Sequence, residues 1–306
     1  QRWTCSMWLL WLAWVSTAAG LRRRFQDVDT GAPDIGLPAG RKHKPVIWVH
    51  VHKACGTSMC SMAKLNGEAL MSQARDGQSC NVNLVDDYRF WMPTGRPDCA
   101  DREMMQRASG FTWSQIEHPL TDEEFCPDEF FYGTIIRHPV TAALSQVNYI
   151  DVYQLDRWSP YEWRKLIACL EDRQAGHAAA CAELDLLPKP DQNWVFFDNF
   201  LVRMFGGLSV WNLPAGAINA AHRELALSRL SSLDLVLTAE QFDSNQTRTA
   251  LRQAFRWDRF EPTYIPVNAN AFKPISFTAD DVKRIERLNM HDMIIFNNIS
   301  ARLSGH

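Results

Sequence analysis

Val46-Ile47-Trp48-Val49-His50-Val51 runs directly into His52-Lys53-Ala54-Cys55-Gly56-Thr57-Ser58-Met59. The first six residues are β-rich and mostly apolar, the mark of a strand buried in a parallel sheet. The next eight gather Lys, Gly, Thr and Ser where a strand hands over to a helix. A helix leaves its first N–H groups without internal partners, and its dipole favours negative charge there, so such a turn makes an anion site. Gly56 allows close approach of the backbone, the Thr57 and Ser58 hydroxyls suit phosphate oxygens, and Lys53 brings a mobile point charge. The Gly-Lys-Ser/Thr of a Walker A loop is absent, since Lys precedes the glycine. As a bare pattern, the stretch is equally compatible with an ordinary strand-to-helix turn.

Two further apolar runs have strand character, Phe130-Phe131-Tyr132-Gly133-Thr134-Ile135-Ile136 and Leu233-Asp234-Leu235-Val236-Leu237-Thr238. Helical patterns lie between and after them. Thr121 with Glu124 predicts a capping box, as does Ser159-Pro160-Tyr161-Glu162 with its proline at the first helical position. Thr278 with Asp281 opens the last helix, to which Val282, Ile285, Leu288 and Ile295 give an apolar face. Strands alternating with helices predict an α/β fold, a central parallel sheet flanked by helices on both faces. The second run continues as Arg137-His138-Pro139-Val140 and, on a helix that Pro139 starts, reaches Ser145. Arg137 thus stands at the carboxyl end of a strand, the edge where ligands sit in open parallel sheets. Its guanidinium can grip a phosphate with two parallel bonds.

Taken together, the two stretches resemble the nucleotide-binding motifs of the Golgi carbohydrate sulfotransferases of the heparan and chondroitin type. The first looks like that family's 5′-phosphosulfate loop, the second like its 3′-phosphate motif, with a Ser eight positions after the Arg. Weaker echoes follow in Asn199-Phe200-Leu201-Val202-Arg203-Met204 and Leu237-Thr238-Ala239-Glu240-Gln241-Phe242. The resemblance covers most of residues 45–303, and only the two motifs are specific. It implies a single P-loop-like sulfotransferase domain over residues 45–306 that uses 3′-phosphoadenosine 5′-phosphosulfate as co-substrate. By the same resemblance Lys53, Ala54, Cys55, Gly56, Thr57 and Ser58 would surround the 5′ end, and Arg137 and Ser145 would hold the 3′-phosphate. Two residues depart from the family pattern. Cys55 stands where Gly is usual, and His138 stands where Asp is common.

Sulfuryl transfer is an in-line displacement catalysed mostly by positioning and charge stabilisation, with Lys53 placed to meet charge on the leaving oxygen. No metal is expected, and no Cys-x-x-Cys pair or His cluster has zinc spacing. A hydroxyl acceptor calls for a base, and His suits that task near neutral pH. His118, in Ser114-Gln115-Ile116-Glu117-His118-Pro119, lies between the two motifs, where heparan-type enzymes resemble it in carrying their catalytic His; Glu117 is the alternative base. His52 neighbours Lys53, but strand alternation points it away, and His50 and His138 are expected to be structural. The expected acceptor is a glycan or proteoglycan hydroxyl. Trp158, Tyr161, Trp163 and Trp194 suit either sugar stacking or core packing, and Arg157, Arg164 and Lys165 either an acidic glycan or a solvated face. Rival expectations are a sulfotransferase-like protein that binds the nucleotide without turnover, a protein-tyrosine sulfotransferase, and a P-loop kinase or nucleotidase. The last would need Gly-Lys-Ser/Thr and a magnesium-holding Asp.

Composition narrows the field further. The 306 residues, 46% hydrophobic and 22% charged, suit one large globular domain or two small ones. A net charge of −3 argues against a nucleic-acid partner and requires any anionic ligand to be held by a few placed cations. The chain begins with Gln1, as a fragment or processed chain would. Cys5 to Leu21 carries no charge and ends in Ser16-Thr17-Ala18-Ala19-Gly20, so residues 1–21 are expected to be a signal peptide or a signal anchor. Arg22-Arg23-Arg24 argues mildly against an anchor with its carboxyl side in the lumen. Residues 22–44, rich in Arg, Asp, Gly and Pro, suit a flexible stem. Either reading places the chain in the secretory pathway, expected in the Golgi lumen. It would be held to the membrane by the N-terminal segment as a single-pass type II protein, or be soluble after cleavage. Of the eight Cys, Cys5 lies in the apolar run. That leaves Cys55, Cys60, Cys80, Cys99, Cys126, Cys169 and Cys181, an odd number, so at least one is free or pairs between chains. Cys169 and Cys181 are spaced to close a short loop. Asn245-Gln246-Thr247 and Asn298-Ile299-Ser300 are glycosylation acceptor triplets. Nothing in the sequence indicates an oligomeric state.

Overall fold

The computed structural model of the chain describes residues 44–70, 80–81, 98–153, 160–177, 193–260 and 276–303. Four strands, β1 (Val46–Val49), β2 (Trp113–Ile116), β3 (Phe131–Ile136) and β4 (Leu235–Thr238), form one all-parallel sheet in the order β2-β1-β3-β4. All four β1 side chains are fully buried, and successive side chains face opposite ways, so the sheet is covered on both faces. On one face Trp48 stacks on Trp113 at 5.4 Å and meets the edge of Phe255 at 6.5 Å. Phe255 in turn touches Phe131 and Trp257. Trp48 lies in register with Gly133, where a Cβ would come within 2.3 Å of the indole, so glycine is the residue that fits there. The apolar area removed from water around these rings stabilises the centre by about 1.5–3 kcal/mol per large side chain.

β2 is a strand that the apolar-run reading does not predict. Its middle residues, Ser114 and Gln115, are polar yet fully buried. Ser114 Oγ donates to the Val46 carbonyl at 3.1 Å, and Gln115 Nε2 to the Gly56 carbonyl at 3.2 Å. Those bonds satisfy groups whose burial would otherwise cost free energy, and they also erase the hydrophobic signature. The other strands appear where expected with shifted ends, since β1 stops at Val49 rather than Val51 and β4 starts at Leu235 rather than Leu233.

The helices are α1 (Gly56–Leu65), α2 (Cys99–Ala108), α3 (Pro139–Tyr153), α4 (Pro160–Gln174), α5 (Phe200–Phe205), α6 (Leu208–Trp211), α7 (Ala220–Ser231), α8 (Asn245–Phe255), α9 (Ala279–Leu288) and α10 (Met290–Leu303). Pro139 and Pro160 open α3 and α4 as expected. Thr278 and Asp281 form a reciprocal capping box at the start of α9. The expected single last helix is broken at Asn289, so Ile295 belongs to α10. The Asn289 side chain accepts from Asn199 N at 2.8 Å and donates to the Ile285 carbonyl at 3.0 Å. Thr121 and Glu124 do bond to each other, but they close a turn and no helix follows.

Disulfides join Cys60 to Cys80 and Cys99 to Cys126, and Cys169 is also disulfide-bonded. Its expected partner, Cys181, lies outside the described residues. Cys55 is the free cysteine among the described residues. Residues 1–43, with the apolar run and nearly all of the expected stem, lie outside them too. Among the described residues no helix is long and apolar enough to cross a membrane. Of the aromatics considered for a sugar, Trp163 is buried against Phe197, and Trp194 covers the Arg203 guanidinium. Arg164 is paired with Asp281, and Trp158 and Arg157 lie outside the described residues.

Strand order sets the place for a ligand. The chain leaves β1 through α1 toward β2 on one side, and leaves β3 through α3 toward β4 on the other. Neighbouring loops therefore diverge at the carboxyl ends of β1 and β3, and a crevice opens at such a switch point.

Candidate functional site

The loop after β1 takes an unusual backbone course. Lys53 has φ 64° and Cys55 φ 61°, both left-handed, while Ala54 between them does not. This alternation is the kind from which backbone anion nests are built, and each left-handed non-glycine residue costs roughly 1–2 kcal/mol. Cys55 is the N-cap of α1 and its side chain makes no capping bond to the first-turn N–H groups. The left-handed backbone also explains why glycine would be at home at position 55. The Cys55 thiol packs against the core. Burial, helped by Glu240 and Asp243 and opposed by Arg137, pushes it up to about 11. It is therefore an uncharged thiol at neutral pH and does not repel an anion. Gly56 has a different necessity from the one read in the sequence. A Cβ there would fall 1.9 Å from the His50 ring, so the glycine makes room for His50 beneath the loop.

Arg137, at the end of β3, reaches across the switch point. Its Nη1 donates to the Lys53 carbonyl at 2.9 Å and its Nε to Thr141 Oγ1 at 3.2 Å. Thr141 Oγ1 lies 3.1 Å from a Glu240 carboxylate oxygen, which also accepts from His138 N at 3.0 Å. Glu240, which follows β4, thereby steadies the first turn of α3 and, through Thr141, the guanidinium. Burial and the nearby Arg137 charge lower the Lys53 ammonium to about 8, against an opposing pull from Glu117. Two cations thus share a half-buried edge, an arrangement that a bound polyanion would relieve.

A second cluster stands beside the loop. Glu117 follows β2 directly and accepts a hydrogen bond from His52 Nδ1 on one carboxylate oxygen. Asn81 Nδ2 donates to the other at 2.5 Å, and Asn81 Oδ1 lies 2.8 Å from His50 Nδ1. His50 Nε2 stands 3.8 Å from the same carboxylate. Burial alone would raise the Glu117 carboxyl, but His50, His52 and Asn81 outweigh it and hold it at about 2. A carboxylate only accepts, so the ring nitrogen that faces it, His52 Nδ1, carries a proton. The His52 ring also lies 5.7 Å from Phe196, a wall of a recess bounded by Val51, Arg137, Phe200 and Asp292.

The structure therefore brings Lys53, Ala54, Cys55, Gly56 and Arg137 together, with Thr57 and Ser58 half-buried in the first turn of α1. Ser145 is half-buried on α3, and among the described residues no hydrogen bond joins it to the loop. His118 Nδ1 lies 3.0 Å from the Pro119 carbonyl and its Nε2 3.7 Å from a Glu124 carboxylate oxygen. Sequence reasoning missed Asn81 and the bonded role of His50. It also turned His52 away by assuming that strand alternation continues past Val49. No protein-family model matches the chain, and no curated protein matches it.

Proposed function

We propose that the chain is a sulfotransferase that moves a sulfuryl group from 3′-phosphoadenosine 5′-phosphosulfate to a glycan hydroxyl. The observation that carries this reading is the meeting of Lys53 and Arg137 at the switch point of a parallel sheet, beside a helix start whose N-cap side chain makes no capping bond. On this reading the domain is P-loop-like in its use of the loop after β1. The first-turn N–H groups, Thr57, Ser58 and Lys53 bind the 5′-phosphosulfate, and Arg137, with Ser145, binds the 3′-phosphate. The acceptor oxygen attacks sulfur, its proton passes to His52 Nε2, and the bond from sulfur to the 5′-phosphate oxygen breaks. 3′-Phosphoadenosine 5′-phosphate leaves, with Lys53 meeting the charge on the departing oxygen. Glu117 fixes the His52 tautomer and stabilises the imidazolium, and general-base help of this kind supplies about 10²–10⁴-fold in rate. The disulfides support a lumenal or extracellular setting, since they persist in oxidising compartments.

Transfer of radiolabelled sulfuryl from the donor to desulfated heparin, chondroitin and tyrosine peptides, offered side by side, tests the reading. Label on a glycan supports it, and label on peptide alone redirects it to tyrosine sulfation. Nucleotide binding with no transfer would make the chain a binding protein. His52→Ala should remove at least about tenfold of turnover, and His118→Ala little. The reverse result would return the role to His118.

A further inference from the structure

The Asn81 amide comes to the site from outside the sheet, and two covalent or backbone ties fix where it sits. Cys80, its neighbour, is bonded to Cys60 on α1, the helix whose start forms the anion loop. The Cys80 carbonyl accepts from Gln115 N at 3.0 Å, and Asn81 forms a parallel bridge with Gln115 in β2. Asn81 thus extends the sheet edge beside Glu117, and its amide spans His50 Nδ1 and one Glu117 oxygen. The other oxygen of that carboxylate is the one that receives His52 Nδ1. An amide that occupies one carboxylate oxygen and one imidazole nitrogen fixes the rotation of the carboxylate. It therefore fixes the plane in which His52 can bond.

We propose that Asn81 is a positioning residue of this site, set in place by the Cys60–Cys80 disulfide, so that the His52–Glu117 pair is aligned for proton transfer only in the oxidised chain. The use of His52 as a base rests on the sulfuryl-transfer reading, whereas the alignment itself does not. The same covalent tie links the two halves of the site. The helix that binds the donor and the residue that orients the base are joined through one disulfide, and reduction would loosen the second without touching Lys53 or Arg137.

The test uses the full chain with isotopically labelled histidine and follows the His52 ring-nitrogen resonances, assigned with His52→Gln. The wild type should show a single tautomer, protonated at Nδ1. Asn81→Ala should shift both nitrogens toward the average of the two tautomers and lower kcat by about tenfold with KM unchanged, a part of what base catalysis supplies. Its affinity for 3′-phosphoadenosine 5′-phosphate should stay within about twofold of wild type, the ordinary range for a change away from the ligand. The Cys60→Ser/Cys80→Ser pair, or titration of the intact chain with a thiol reductant, should give the same nitrogen shifts. The Cys99→Ser/Cys126→Ser pair should not. An unchanged His52 tautomer in Asn81→Ala overturns the proposal, and an unchanged tautomer after loss of Cys60–Cys80 overturns the part played by the disulfide. If the wild type binds no nucleotide, the sulfotransferase reading falls, while the ring nitrogens still decide whether Asn81 sets His52.

Discussion

Arg203 and Arg137 are both tied to main-chain carbonyls, and they do opposite things. Arg203, on α5, is fully buried. It donates to the carbonyls of Asp198, Val210, Trp211, Leu213 and Pro214 and forms a 2.5 Å pair with the Asp198 carboxylate. Around it, Asn199 Oδ1 accepts from the first N–H groups of α10, while the Asp292 carboxylate accepts from Leu201 N and Val202 N. Each helix start is thus capped by the other segment, and the charge is used up inside the fold. Burial pushes the Asp292 carboxyl up to about 7 even though it holds two N–H groups and faces Arg203. Among the described residues Arg137 makes two bonds, both to uncharged acceptors, and the N-cap side chain of its neighbour α1 makes no capping bond. A densely bonded buried network fixes the fold, whereas cations gathered beside a helix start offer bonds that an anion could take up.

This contrast can be broken by substitution. Arg203→Met should cost about 3–5 kcal/mol in denaturant unfolding, because the Asp198 carboxylate and several carbonyls lose their donor together. A loss below about 1 kcal/mol would mean that the hub is not the structural element described.

Lys53 sharpens the other half of the comparison through pH. Its ammonium is lowered to about 8, so the loop holds its full positive charge below that value and loses it as pH rises through it. Nucleotide affinity should therefore fall above about pH 8, approaching tenfold per pH unit. Calorimetry just above that pH, in buffers of different ionisation heat, should register proton uptake on binding. A flat pH profile would remove Lys53 from contact with the anion.

The smallest expected effect concerns the loop backbone. Cys55→Gly should stabilise the chain by about 1 kcal/mol through relief of the left-handed conformation, offset in part by lost packing and by the greater freedom of glycine when unfolded. Thermal unfolding measures it, and a clear destabilisation would mean that thiol packing outweighs backbone strain.

How far the sequence could be read follows from where each signal resides. β1, β3 and the loop after β1 are local patterns, an apolar run ending in turn and helix-start residues, and they appear where expected. The same holds for Pro139, Pro160 and the Thr278–Asp281 box. β2 was hidden because Ser114 Oγ and Gln115 Nε2 donate to β1 and to the α1 start, partners that no local window contains. The His52–Glu117–Asn81 cluster was hidden for the same reason, since it joins the ends of two strands to a residue placed by a disulfide whose pairing spacing does not fix. The Asn199–Met204 stretch carried a polar signature that resembled a nucleotide-binding family. Its Asn and Arg act within the fold, holding helix starts and carbonyls together.

The most direct measurement is calorimetric titration of the full chain with 3′-phosphoadenosine 5′-phosphate, comparing wild type with Arg137→Ala. The account predicts micromolar binding by the wild type, an affinity lower by about 30–150-fold in the variant, the 2–3 kcal/mol of a charge-assisted pair, and unfolding curves that coincide. A well-folded wild type that binds no nucleotide, or a variant that binds as tightly as wild type, would contradict it.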